Sequence, residues 1–106
     1  MLVVTTNDLA GYRIVKHLGM ARGVTVRSRN AVSDFIGSVH AMIGGRIGAY
    51  VKLAEQGRAE AYSELVKHAG ELGANAILAV RYDATEIMLG TTEVLAYGSA
   101  VLVEPV

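Results

Sequence analysis

Apolar residues recur at helical spacing between positions 47 and 72. At about 100° per residue, Ile47, Val51, Ala54, Ala61, Leu65, Ala69 and Leu72 share one arc, while Lys52, Gln56, Glu60, Ser63, Lys67 and Glu71 fall opposite. The pattern predicts one amphipathic helix of about 26 residues, roughly 39 Å long at 1.5 Å per residue. Gly70 and Gly73 stand where the periodicity ends, and Gly73 is expected to be the left-handed residue past the last turn. Beyond it Ala76-Ile77-Leu78-Ala79-Val80 is continuously apolar, as a strand covered on both faces requires. That strand is expected to run to Met88 and turn through Leu89-Gly90-Thr91-Thr92 into another at residues 93–103, with Pro105 outside the hairpin.

The first half reads differently. Residues 2–6 form a short strand candidate, and Asn7-Asp8 with Gly11 supply turn chemistry after it. From Tyr12 to Ser28, Ile14, Leu18, Val24 and Val26 fall at even spacings interrupted by Gly19 and Gly23, which predicts two strands or one bent strand with a bulge. Val32, Phe35, Ile36, Val39 and Ile43 then mark a short amphipathic helix, capped by Asn30 or Ser33 and closed by Gly44-Gly45. The order β-β-α-α-β-β describes one α+β domain over residues 1–106: a small, mostly antiparallel sheet with the long helix packed across it and a short helix before it. Tyr50, Tyr62 and Val66 flank the main arc and widen the apolar surface beyond what so small a sheet covers, so a second copy of the chain is the expected partner.

Composition narrows the function. Hydrophobic residues make up 52% and charged residues 19% of the 106, and ten basic side chains balance ten acidic ones. A balanced surface gives no field for nucleic acid or anionic lipid. No apolar stretch reaches the length of a membrane span and the N-terminus has no signal-peptide pattern, so a cytoplasmic location is expected. The absence of cysteine removes thiolate metal sites, disulfides and thiol catalysis.

Arg58 falls within the apolar arc between Ala54, Ala61 and Leu65, where a guanidinium must be paired or must reach a cavity. Asp83, Glu86 and Asp34 are candidate partners. One reading is a structural ion pair; the other is an anion-binding cleft between subunits in which Arg46, Tyr50 and Arg81 join Arg58 and Asp83. The glycines around Arg46 leave backbone donors at a helix start but match no phosphate-binding spacing. Glu60, Glu64 and His68 follow i, i+4, i+8 spacing, with Glu71 three residues on, and a divalent metal ion on that helix edge is set against a plain solvated face. His17 and His40 have no ligand-type neighbours at metal spacing, and Met20, Met42 and Met88 suit core filling. No nucleophile-and-base motif is present.

Several of these residues together resemble the YbjQ-type family, a small domain described as putative heavy-metal-binding. The resemblance spans nearly the whole chain. It is carried by Thr5-Thr6, Gly19 and Gly23, Gly44-Gly45-Arg46 with Tyr50, Arg58, Leu72-Gly73-Ala74-Asn75-Ala76 and Tyr97-Gly98-Ser99-Ala100-Val101. It implies a dodecin-like β-α-β-β subunit assembled into a homopentamer, and no reaction. The expected function is a homo-oligomeric binding or scaffold protein for a metal ion or small ligand. The alternative is an enzyme working in an inter-subunit pocket around Arg46, Tyr50, Arg58 and Asp83.

Overall fold

A computed structural model describes residues 1–28 and 46–106. The expected short helix, its caps, the Gly44-Gly45 corner, Asp34, His40 and Met42 lie outside the described residues. The elements are β1 (Leu2–Val3), β2 (Tyr12–Ser28), α1 (Arg46–Glu71), β3 (Ala76–Met88) and β4 (Thr91–Pro105). The four strands form one sheet in the order β1-β3-β4-β2, with β1 parallel to β3 and the other pairs antiparallel. Helix α1 packs across one face, giving a two-layer α+β body. No described helix is long and apolar enough to cross a membrane.

Helix α1 has the expected 26 residues. Its buried line, however, is Gly57, Ala61, Leu65 and Ala69, each four residues from the last. Steps of four overshoot one turn by about 40°, so the line drifts around the helix. Val51, Ala54 and Arg58, expected in the buried arc, are left exposed. At its C-terminus the Gly73 N–H donates to the Gly70 carbonyl and the Ala74 N–H to the Ala69 carbonyl, both at 3.0 Å, with Gly73 at φ +87°. These two bonds close the helix and turn the chain into β3.

Asn75 then ties that turn to the sheet. Its Nδ2 donates to the Val103 carbonyl at 2.9 Å and its Oδ1 accepts from the Val103 N–H at 2.8 Å. An Asn75→Ala variant leaves both backbone groups without these partners. It is expected to lose about 1–3 kcal/mol in urea unfolding, with Asn75→Asp, which keeps only the acceptor, falling between.

Strand β2 is one strand bent by register shifts between Ile14 and Lys16 and between His17 and Gly19, the second at Gly19 with φ +105°. Gly23 serves another purpose. A β-carbon there would lie 2.1 Å from the Ala61 carbonyl oxygen and 2.3 Å from the Leu65 nitrogen. The helix backbone rests directly on the strand at this point. Alternation then turns Ala21, Gly23, Thr25 and Arg27 toward α1. Val24 and Val26, the apolar positions of the alternation, face outward at 44% and 50% exposure.

The apolar run that opens β3 is buried on both faces, as its composition requires. Ile77 and Val80 join Ala61, Leu65, Ala69, Ala96 and Ala100 beneath α1. Ala76 and Leu78 pack on the other face with Val101 and Val103, covered by Val4 and Leu9. A bulge between Leu78 and Arg81 places Ala79 at φ 54°, and its N–H donates to the Thr6 carbonyl at 2.8 Å. The segment after β1 accompanies β3 only to Val80. From Arg81 to Met88, β3 pairs with β4 alone among the described strands. The hairpin turn is tighter than expected, with Gly90 at φ 76° and β4 beginning at Thr91. Pro105 lies inside β4, opposite Tyr12. Its missing donor does no harm because pairing with β3 has already ended at Val101.

Candidate functional site

Helix α1 and the sheet meet closely at Gly23 and separate toward the helix N-terminus. The cause is a change of side-chain size along β2. Past Gly23 the inward positions become Thr25 and Arg27, and α1 answers with Glu60. The Thr25 hydroxyl donates to Glu60 Oε2 at 3.0 Å, and the Arg27 guanidinium lies against Glu60 Oε1 as an ion pair. This polar strut stands where small residues allowed backbone contact one turn earlier. Beyond it opens a cavity of about 350 Å³. Leu53, Ala54 and Gly57 line it from α1, Tyr82 and Ala84 from β3, and Thr92 and Val94 from β4. Arg27, Arg58 and Asp83 complete the lining.

Arg27 is the unusual group. Its Nε and Nη2 are shielded from solvent, and neither has a hydrogen-bond acceptor among the described residues. Nη2 touches the Glu60 carboxylate as an ion pair, outside hydrogen-bonding geometry. The guanidinium holds the Glu60 carboxyl below the usual carboxylate range; burial opposes this and the Thr25 hydroxyl assists. A carboxyl lowered in the folded state stabilises the fold above its unfolded pKa, and that contribution is lost as pH falls through the folded value. Glu60→Gln is therefore expected to cost about 1 kcal/mol at neutral pH, a figure limited by partial exposure. The gap to wild type should narrow as pH falls below the usual carboxylate range; chemical denaturation at several pH values measures it, and a pH-independent gap would show that the pair contributes no charge interaction.

The expected ligand residues separate in space. Arg58 and Asp83 both line the cavity, but Arg58 is exposed and lies 3.7 Å from Glu55, three residues earlier on the helix, rather than being paired to Asp83 or Glu86. Alternation along β3 puts the Asp83 side chain on the sheet face away from Ala84. Arg81 serves the fold: its Nη1 donates to the carbonyls of Thr5 at 2.8 Å and Val80 at 2.9 Å, clamping the segment after β1. Arg46 and Tyr50 belong to the first turns of α1, described in backbone only.

The helix-edge metal residues also diverge. Glu60 is committed to Thr25 and Arg27. Glu64 and His68 share a cleft of about 180 Å³ with Arg22, Lys67 and Glu71. There His68 Nδ1 accepts the Arg22 N–H at 3.0 Å. A neutral imidazole that accepts at Nδ1 carries its proton on Nε2, so neither nitrogen offers a free lone pair. Among the described residues no three His, Cys, Asp or Glu side chains converge as a metal site.

Arg27 and Thr92 were not legible as site residues. The alternation V-T-V-R at 24–27 points the valines inward if hydrophobicity alone is read. The contrary signal was the small pair Ala21 and Gly23, in phase with Thr25 and Arg27, which marks the face a helix crosses.

The family described as putative heavy-metal-binding, YbjQ, matches this chain over residues 1–104. A UPF0145 protein of Chromobacterium violaceum is 50% identical over 104 residues, spanning 98% of this chain and 89% of the relative. A UPF0145 protein of Solibacter usitatus is 48% identical over 103 residues, spanning 97% and 92%. Among solved structures, a protein of unknown function from the DUF74 family of Pediococcus pentosaceus superposes with a TM-score of 0.63 over 98% of both chains, at 17% identity. That likeness concerns the fold.

Proposed function

Because the chain belongs to the YbjQ family, described as putative heavy-metal-binding, while no three donor side chains converge among its described residues, we propose a different reading: a cytoplasmic, self-assembling protein that holds a small organic ligand. The cavity between the N-terminal half of α1 and the sheet carries this reading. Its volume lies in the range of small-molecule sites, and its walls combine apolar side chains with a few polar groups. Self-assembly is supported by apolar side chains left in solvent on both layers, including Met20, Val24 and Val26 on the sheet and Val51 and Tyr62 on the helix. A ring of five copies is the assembly that the family resemblance implies.

Native mass spectrometry of protein purified without chelator tests both halves together. The expected spectrum is a five-copy assembly carrying an organic mass of a few hundred daltons. A stable monomer at micromolar concentration would remove the assembly, and a fully ligand-free assembly that also fails to take up small amphiphiles would remove the binding role.

A further inference from the structure

Resting on the self-assembly half of that reading, we infer that the free edge of β2 over residues 24–28 is the seat of a second copy of the chain, whose β3 adds to it in parallel through residues 81–88. The Arg22 N–H leaves the sheet for His68 Nδ1, so it points away from β4. Alternation turns the main-chain groups of Val24 and Val26 the same way. His68 thus closes the edge at Arg22, and among the described residues no strand continues the sheet beyond it. Gly-Val-Thr-Val at 23–26 carries neither a charge nor a proline, the usual guards of an uncovered strand. Its two valines stand exposed, so this edge is built to be covered.

The other edge of the same sheet identifies what covers it. Arg22, Tyr97 and Arg81 stand level across β2, β4 and β3. Up to that level the segment after β1 accompanies β3, and past it β3 is bare among the described residues, just where β2 is. The two bare lengths therefore occupy one height of the sheet. Both strands run antiparallel to β4 and hence parallel to each other, and β3 already accepts a parallel partner, β1, along its first residues. A copy set alongside with its helix on the same face brings the two lengths together. Before that height β1 stands between the copies, and β2 has the register shift at Gly19 with which to bend around it. Charge agrees with this placement. Strand β2 contains no acidic residue, whereas residues 81–88 carry Asp83 and Glu86. Asp83 is level with Val24, on the face that also bears Arg22, so the Asp83 carboxylate of the next copy lies diagonal to the Arg22 guanidinium. Arg81, level with Arg22, has turned its own guanidinium onto the Thr5 and Val80 carbonyls.

The chain has no cysteine, so introduced thiols test the seam directly. Val26 and Thr85 are both exposed and share the level of Glu93, with β4 between them. Within one chain they stand two strand spacings apart, about 10 Å, beyond the roughly 7 Å that a disulfide bridges. Across the seam they are neighbours. Oxidation of the Val26→Cys, Thr85→Cys double variant is expected to give a ladder of covalent oligomers on a denaturing gel, and each single variant none. Arg22→Asp should raise the concentration at which the assembly dissociates about tenfold, and adding Asp83→Arg to it should restore the wild-type value, both read by native mass spectrometry over a dilution series. Covalent dimers from Val26→Cys alone or Thr85→Cys alone would show an edge meeting its own copy and overturn the parallel seam. An assembled double-cysteine variant that forms no ladder, or a charge reversal that the second substitution does not restore, overturns it too and leaves self-assembly standing. A wild-type protein that is monomeric at micromolar concentration overturns both.

Discussion

Gly23→Ala is expected to destabilise the fold by about 3 kcal/mol or more, at the upper end of what added core volume costs. The new methyl group would meet the Ala61 carbonyl oxygen, the Leu65 nitrogen and the Glu64 carbonyl carbon at 2.1, 2.3 and 2.9 Å. All three are backbone atoms, so no side-chain rotation relieves the clash and α1 must lift off β2 as a body. For a domain near 100 residues the melting temperature should fall by roughly 10 °C or more. Gly70→Ala provides the opposite sign within one helix: nothing lies within 4 Å of its added carbon, and alanine's better helix propensity should add about 0.5–1 kcal/mol. Thermal unfolding of both variants at one protein concentration checks the pair. A Gly23→Ala protein as stable as wild type would mean that helix and strand do not touch there.

Leu65→Ala should cost roughly 3–5 kcal/mol, the upper half of the range for such truncations. Leu65 is fully buried, and its surroundings include Ala21, Ala61, Ala69, Ala96 and Ala100. Alanines have no side-chain torsions with which to collapse into the hole, so most of it stays open. Against a total stability of about 5–15 kcal/mol, about a fifth or more of the margin disappears. The urea midpoint should fall with an unchanged slope. A loss below about 1 kcal/mol would show that the site relaxes, contrary to this composition.

Where local chemistry decides an element, the sequence was readable. Gly73 closes α1 in the left-handed conformation, and the unbroken run from Ala76 to Val80 proved to be covered from both sides. Fold class and family followed from such features. The site was harder because it depends on which face of β2 the helix crosses. Period-two alternation cannot distinguish a buried face from a solvent face once Val24 and Val26 occupy one and Thr25 and Arg27 the other. Arg58 was misplaced for a related reason. A helical wheel collapses the whole helix onto one arc, whereas the buried line through Gly57, Ala61, Leu65 and Ala69 drifts around α1, and Arg58 becomes a wall of the opening rather than a core cation. His68 was identifiable as a candidate but not its hydrogen bond, which a backbone N–H of strand β2 supplies.

The bare length of β3 from Arg81 to Met88 has a counterpart in β2, which ends the sheet on the opposite side. Among the described residues each has main-chain donors and acceptors without a strand partner, and they belong to different strands with different side chains. Copies joined by pairing one margin with the other would meet head to tail, never through a twofold axis. Such contacts have two outcomes only: they close on themselves after a fixed number of subunits, or they continue into a fibre. The rotation between successive copies, set by the twist of this sheet, would then decide between a discrete particle and a polymer.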